Sequence, residues 1–122
     1  MFTIRLGVPE MREFWNKLKN KVTSGKSGKD EQRLYRKIGK AMKLLSGNPK
    51  HPGLESHCVN ALSNRYGKKV WESYLENNTP AAGRMFWIYG PEQGEITIIG
   101  LEPHPNDKGT AYDRVTLSSA GK

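Results

Sequence analysis

The chain has 122 residues and a hydrophobic share of 35%, enough for one modest core but not for two domains. No run approaches the ~18 consecutive apolar residues of a membrane-spanning helix, and a single cysteine, Cys58, excludes an internal disulfide. The formal net charge of +8 is unevenly spread: residues 1–50 carry 13 Lys/Arg against 4 Asp/Glu, whereas residues 51–122 carry 7 against 8.

A surplus confined to the first half points to a polyanion or an acidic protein as partner. The opening residues Met1–Leu6 alternate as a strand does, unlike a secretory leader, and a lone cysteine suits a reducing compartment. A cytoplasmic location with no membrane association is therefore expected, with residues 1–122 forming one domain.

In chain order, Phe2–Leu6 reads as a first strand ended by Gly7. Pro9 suits the first turn of a helix, with Glu10 and Glu13 near the positive end of its dipole. Met11, Phe14, Trp15, Leu18 and Val22 then fall on one face. Residues 23–30, rich in Ser, Gly and Lys, read as a flexible interhelical linker, with Asp30 as the cap of a second helix. Leu34, Ile38, Ala41, Met42 and Leu45 make that helix amphipathic, and Gly47-Asn48-Pro49 stops it. Opposite them runs a stripe of Arg36, Lys40 and Lys43, flanked by Arg33 and Lys37. Such a stripe repels itself, which is easier to understand with an anion lying on it, although a solvated lysine-rich face has the same pattern.

Residues 48–67 have weak periodicity and read as an irregular crossing segment with one turn of helix around Leu54–Leu62. Three strands follow at Val70–Leu75, Arg84–Tyr89 and Glu95–Leu101, joined through Asn77–Pro80 and Gly90–Gly94. Residues 115–122 read as a frayed tail. The expected fold is α+β: an N-terminal strand, two amphipathic helices, then a three-strand antiparallel meander with the helices on one face.

Several strings in this order resemble the RelE/ParE-like superfamily of bacterial toxins. Asn48-Pro49-Lys50-His51-Pro52-Gly53-Leu54-Glu55-Ser56-His57 is similar to the stretch after the second helix of RelE-like and HigB-like members. Gly83-Arg84-Met85-Phe86-Trp87 resembles their arginine-initiated central strand. Glu95–Gly100 followed by His104 and Tyr112 resembles their last strand and the functional segment after it. The resemblance spans roughly residues 2–114. It implies a toxin of a type II toxin-antitoxin system, a metal-independent endoribonuclease that cuts mRNA on the ribosome and is silenced by a cognate antitoxin, expected to be acidic. A related branch poisons DNA gyrase instead.

Metal-free RNA cleavage needs a permanent cation on the phosphoryl oxygens and groups that move protons to and from the reacting oxygens. No cofactor is called for, and His51, His57, Cys58 and His104 have no standard zinc spacing. Arg84 supplies a planar fork matched to two phosphate oxygens. His104, held between Pro103 and Pro105, offers an imidazole suited to proton transfer near neutral pH. The resemblance adds Tyr112 as a group that stacks on a base or orients the attacking oxygen. Lys108, His57, Lys50, Arg36, Lys40 and Lys43 complete the expected RNA-binding set. Each of these also has an ordinary reading, as a strand-end arginine, a loop histidine, an aromatic clamp or a surface lysine. Unlike several RelE-like enzymes, the strand before Arg84 carries Lys68 and Lys69 only at its entrance, which puts the work on His57 or His104 and the chain nearer the HigB-like branch. Two other readings are a ParE-like gyrase poison and a non-enzymatic basic module that binds nucleic acid.

Overall fold

A computed structural model describes residues 1–75, 83–102 and 117–119. The chain is α+β. In order come β1 (Thr3–Leu6), α1 (Glu10–Thr23), α2 (Lys29–Gly47), β2 (His57–Cys58), α3 (Asn60–Tyr66), β3 (Trp71–Tyr74), β4 (Arg84–Tyr89) and β5 (Glu95–Glu102). The strands form one open mixed sheet in the order β1-β5-β4-β3-β2, with β1 parallel to β5 and the other neighbours antiparallel.

The two long helices form for the reason their spacing gives. Met11 and Leu18 of α1 and Ile38, Ala41 and Leu45 of α2 are buried against one face of the sheet. Trp15 stacks on Tyr35 with ring centroids 4.9 Å apart, fastening the helices together. The linker is shorter than residues 23–30, since α1 runs through Thr23 and α2 begins at Lys29. Its cap is Gly28, not Asp30: the Glu31 carboxylate accepts the Gly28 N–H at 3.2 Å and the Lys21 ammonium at 3.0 Å. The Gly28 N–H first, and Lys21 second, hold the Glu31 carboxyl below the usual carboxylate range.

The expectation of helices on one face is corrected by α3. Strand β4 alternates two apolar sets, Met85 and Trp87 toward α1 and α2, Phe86 and Ile88 toward the opposite side. That second face needs its own cover, and Leu62 of α3 with Val59 supplies it, packing in one cluster with Val70, Phe86, Ile88 and Ile99. The crossing segment is therefore more ordered than its composition implies. Its helix runs over Asn60–Tyr66 rather than Leu54–Leu62, and Gly67 ends it at φ 89°, where a side chain would be strained. A β-bulge lies opposite Phe86 and Trp87, which pair with Gly100 and Ile98. The extra residue, Ile99, lets Ile98 and Leu101 point to one core while Ile99 points to the other.

The frayed-tail reading of 115–122 fails at residues 117–119. Ser118 is 2% exposed. Its hydroxyl accepts the Met11 N–H at 3.0 Å and donates to Glu10, its N–H donates to the Ile99 carbonyl, and its carbonyl accepts the Tyr66 hydroxyl at 2.8 Å. A Cβ at Gly7 would lie 2.6 Å from the Ser118 Cβ and 2.9 Å from the Ser119 carbonyl oxygen. Gly7→Ala should therefore push this clamp away and cost about 1–3 kcal/mol, read as a lower urea midpoint. Burial pushes the Tyr66 phenol above its ordinary pKa. A raised pKa stabilises the fold below the unfolded value of about 10 and the contribution is lost as pH rises through the folded value. Tyr66→Phe should flatten the alkaline limb of a melting-temperature profile.

Candidate functional site

On the α3 face, pairing register brings together residues far apart in sequence. Glu72 lies opposite Phe86, Tyr74 opposite Arg84, and His57 opposite Glu72. Glu72 is 1% exposed and bridges two basic groups, with Oε2 3.2 Å from an Arg84 guanidinium nitrogen and Oε1 3.0 Å from His57 Nε2. A carboxylate this deep is costly unless paired and hydrogen-bonded, and here both oxygens are engaged. The Arg84 side chain is 13% exposed, so Glu72 holds its guanidinium near the surface without releasing it to solvent.

His57 is bound at both ring nitrogens. Its Nδ1 lies 3.1 Å from the Glu55 carbonyl, which can only accept, and its Nε2 faces the Glu72 carboxylate. The ring thus meets acceptors on both sides, an arrangement suited to holding position more than to exchanging a proton with a ligand. Glu55 itself adopts φ 48°, a left-handed conformation unusual for a residue with a side chain. That turn aims its carbonyl at His57.

A second feature adjoins this cluster through Tyr74, whose ring centroid is 6.4 Å from that of His57. Tyr74 also lines an open groove of about 520 Å³. Arg33, Arg36, Lys37 and Lys40 of α2 form one wall, and His51, Gly53 and Leu54 belong to the loop that forms the other. Helical spacing of i, i+3, i+4 and i+7 puts the four cations on one side of α2, above an apolar floor of Ala41, Leu44, Leu54 and Leu75. His51 Nδ1 accepts the Gly53 N–H at 2.9 Å, so in the neutral ring the proton sits on Nε2. Gly53 is needed for that approach, since a Cβ there would come 3.1 Å from Nδ1.

The structure thus brings Arg84 and His57 together through Glu72, and Arg36 and Lys40 together in the groove. Lys43 is exposed on α2 but does not line the groove, and Lys50 lies by a separate cleft beyond His51. His104, Lys108 and Tyr112 lie outside the described residues. Of the three residues expected on the wall opposite Arg84, His51 lines the groove, whereas Glu72 was missed; its signal was an acidic residue in the strand next to the Arg84 strand. Among the described residues, no helix is long and apolar enough to cross a membrane. No family model matches this chain, and neither a curated protein nor a solved structure matches it.

Proposed function

We propose that this chain is a RelE-like toxin that cleaves mRNA on the ribosome without a metal. In that reaction the RNA 2′-oxygen attacks the adjacent phosphorus and the bond to the 5′-oxygen breaks. The 2′-proton leaves to a base and the 5′-oxygen takes one up, giving a 2′,3′-cyclic phosphate and a 5′-hydroxyl. The observation that carries the reading is the carboxylate-held guanidinium of Arg84, paired in register with Tyr74, which lines a groove of four cations. A fixed cation is what neutralisation of charge at the phosphoryl oxygens requires, and a row of cations is what holds a polyanionic strand. Under this reading Arg84 grips the scissile phosphate, Arg36 and Lys40 hold the strand, and His104 and Tyr112 serve the proton transfers with Lys108 adding charge. An acidic antitoxin would lie over α2, where a cationic rim above an apolar floor suits an amphipathic acidic segment.

The test is incubation of 5′-labelled RNA with the purified protein and a chelator, with and without translating ribosomes. Cleavage to cyclic-phosphate ends is expected. Arg84→Lys, which keeps the charge and loses the fork, should slow it about 100-fold with the melting temperature nearly unchanged. RNA left whole in both mixtures would overturn the reading. The engagement of both His57 nitrogens favours one rival, a module that binds nucleic acid without cutting it. That rival expects salt-steep RNA affinity and no new ends. A ParE-like action would instead leave transcripts whole and inhibit gyrase supercoiling.

A further inference from the structure

His51 also lines a second cleft, of about 280 Å³, to which Trp71, Trp87 and Tyr89 of the sheet contribute. Trp71 and Trp87 stack with centroids 5.7 Å apart and planes 16° from parallel. Tyr89 stands almost perpendicular to both, at 84° to Trp87 and 81° to Trp71. Tyr89 is 42% exposed, and among the described residues Met1 is the only other large hydrophobic side chain so open to solvent. The two indoles differ in their polar ends. Trp87 Nε1 donates to Ser73 Oγ at 2.8 Å, whereas Trp71 Nε1 is buried with no hydrogen-bond partner among the described residues. A buried donor without an acceptor is costly and calls for an explanation. Lys50, His51 and Glu55 give the cleft polar edges able to donate and accept.

We propose that this cleft is a nucleobase subsite: RNA phosphates follow the α2 groove while one base turns past His51 and packs against Trp71 and Tyr89. The proposal rests on the RNA reading above and adds to it where a base is held. Three observations favour a nucleotide over another flat ligand. His51 lines both the cationic groove and the cleft, so one strand can engage both. With its Nδ1 taken up by the Gly53 N–H, the neutral ring keeps Nε2–H as its donor. An aromatic corner next to a cationic track is the combination by which proteins hold single strands, bases on rings and backbone on charge. The cleft lies just below the usual range for small-ligand sites, which fits a single planar ring rather than a folded nucleic acid.

The test uses 2′-O-methyl RNA, which cannot attack itself, and a strand of equal length and charge that carries no bases. Affinity and tryptophan quenching are measured for both. The wild-type protein should bind the base-bearing strand about tenfold more tightly and show quenching only with it. Tyr89→Ala should remove most of that preference without changing affinity for the base-free strand, and Tyr89→Phe should retain it. Arg36→Ser with Lys40→Ser should weaken both strands alike. Equal binding of the two strands by the wild type, or an equal loss of both in Tyr89→Ala, would overturn the subsite while leaving the RNA reading standing. No binding of either strand, with or without ribosomes present, would overturn the RNA reading and the subsite with it. Quenching by a proline-rich peptide but by neither strand would reassign the cleft to a protein partner.

Discussion

Replacing Glu72 with alanine is expected to destabilise the protein by about 2–3 kcal/mol and, under the proposed function, to abolish RNA cleavage as well. Glu72 is 1% exposed and holds two basic groups, so its loss leaves Arg84 and His57 facing an apolar gap. Breaking a buried pair by removing one member commonly costs about 3–5 kcal/mol. The lower figure is expected here because His57 is 48% exposed and turns to water easily. A drop of several degrees in melting temperature would accompany it. His57→Ala should cost under about 1 kcal/mol, since the carboxylate keeps Arg84. The informative companion is Glu72→Leu with Arg84→Met, which removes both charges for side chains of similar volume. That double variant should recover most of the stability, because a well-packed apolar pair often equals a buried ion pair, yet it should cut no RNA. If Glu72→Ala melts like the parent, the carboxylate is not what positions Arg84.

The second large effect concerns the α2 groove. Under the proposed function, changing Arg33, Arg36, Lys37 and Lys40 together to serine should flatten the salt dependence of single-strand RNA binding. About 0.7 of logarithmic slope is lost for each phosphate contact removed, close to three in all. At 0.1 M salt this corresponds to an affinity loss on the order of 10²–10³. Arg36, Lys40 and Arg33 are exposed, so the fold should tolerate the change, and a control with Lys17, Lys19 and Lys43 altered should move the slope little. Equal flattening by the two sets would mean that RNA meets a diffuse positive surface rather than this groove.

The parts of the fold legible in the sequence are those with long, clean periods. The faces of α1 and α2 follow from 3.6-residue spacing, and Arg84–Tyr89 was bounded by glycines that stop a strand. Strand β2 has two residues and α3 has seven, too short for any period to emerge. The second apolar face was present in Met85-Phe86-Trp87-Ile88, where a run without alternation means burial on both sides, but the helix covering it lay in a segment whose composition resembles a loop. The site was legible where one residue's chemistry sufficed. Arg84 stood out as a cation opening an apolar strand, and the α2 stripe as cations at helical spacing. What stayed hidden depended on register. Glu72 meets Arg84 only because Tyr74 pairs with Arg84 across the hairpin, and Trp71, Trp87 and Tyr89 converge only because β3 and β4 present odd-numbered residues to the same face.

Thr3 pairs with Glu95, 92 positions away, and the start of β1 is tied to the end of α2 by the Ser46–Phe2 hydrogen bonds. Closing so long a loop is slow compared with forming helices. During synthesis the N-terminal segment emerges first, yet the neighbour it needs is among the later segments to appear. Residues 3–6 must wait as an unpaired edge while nearly all of the fold is translated. The finished five-stranded sheet therefore arises as a late event in synthesis.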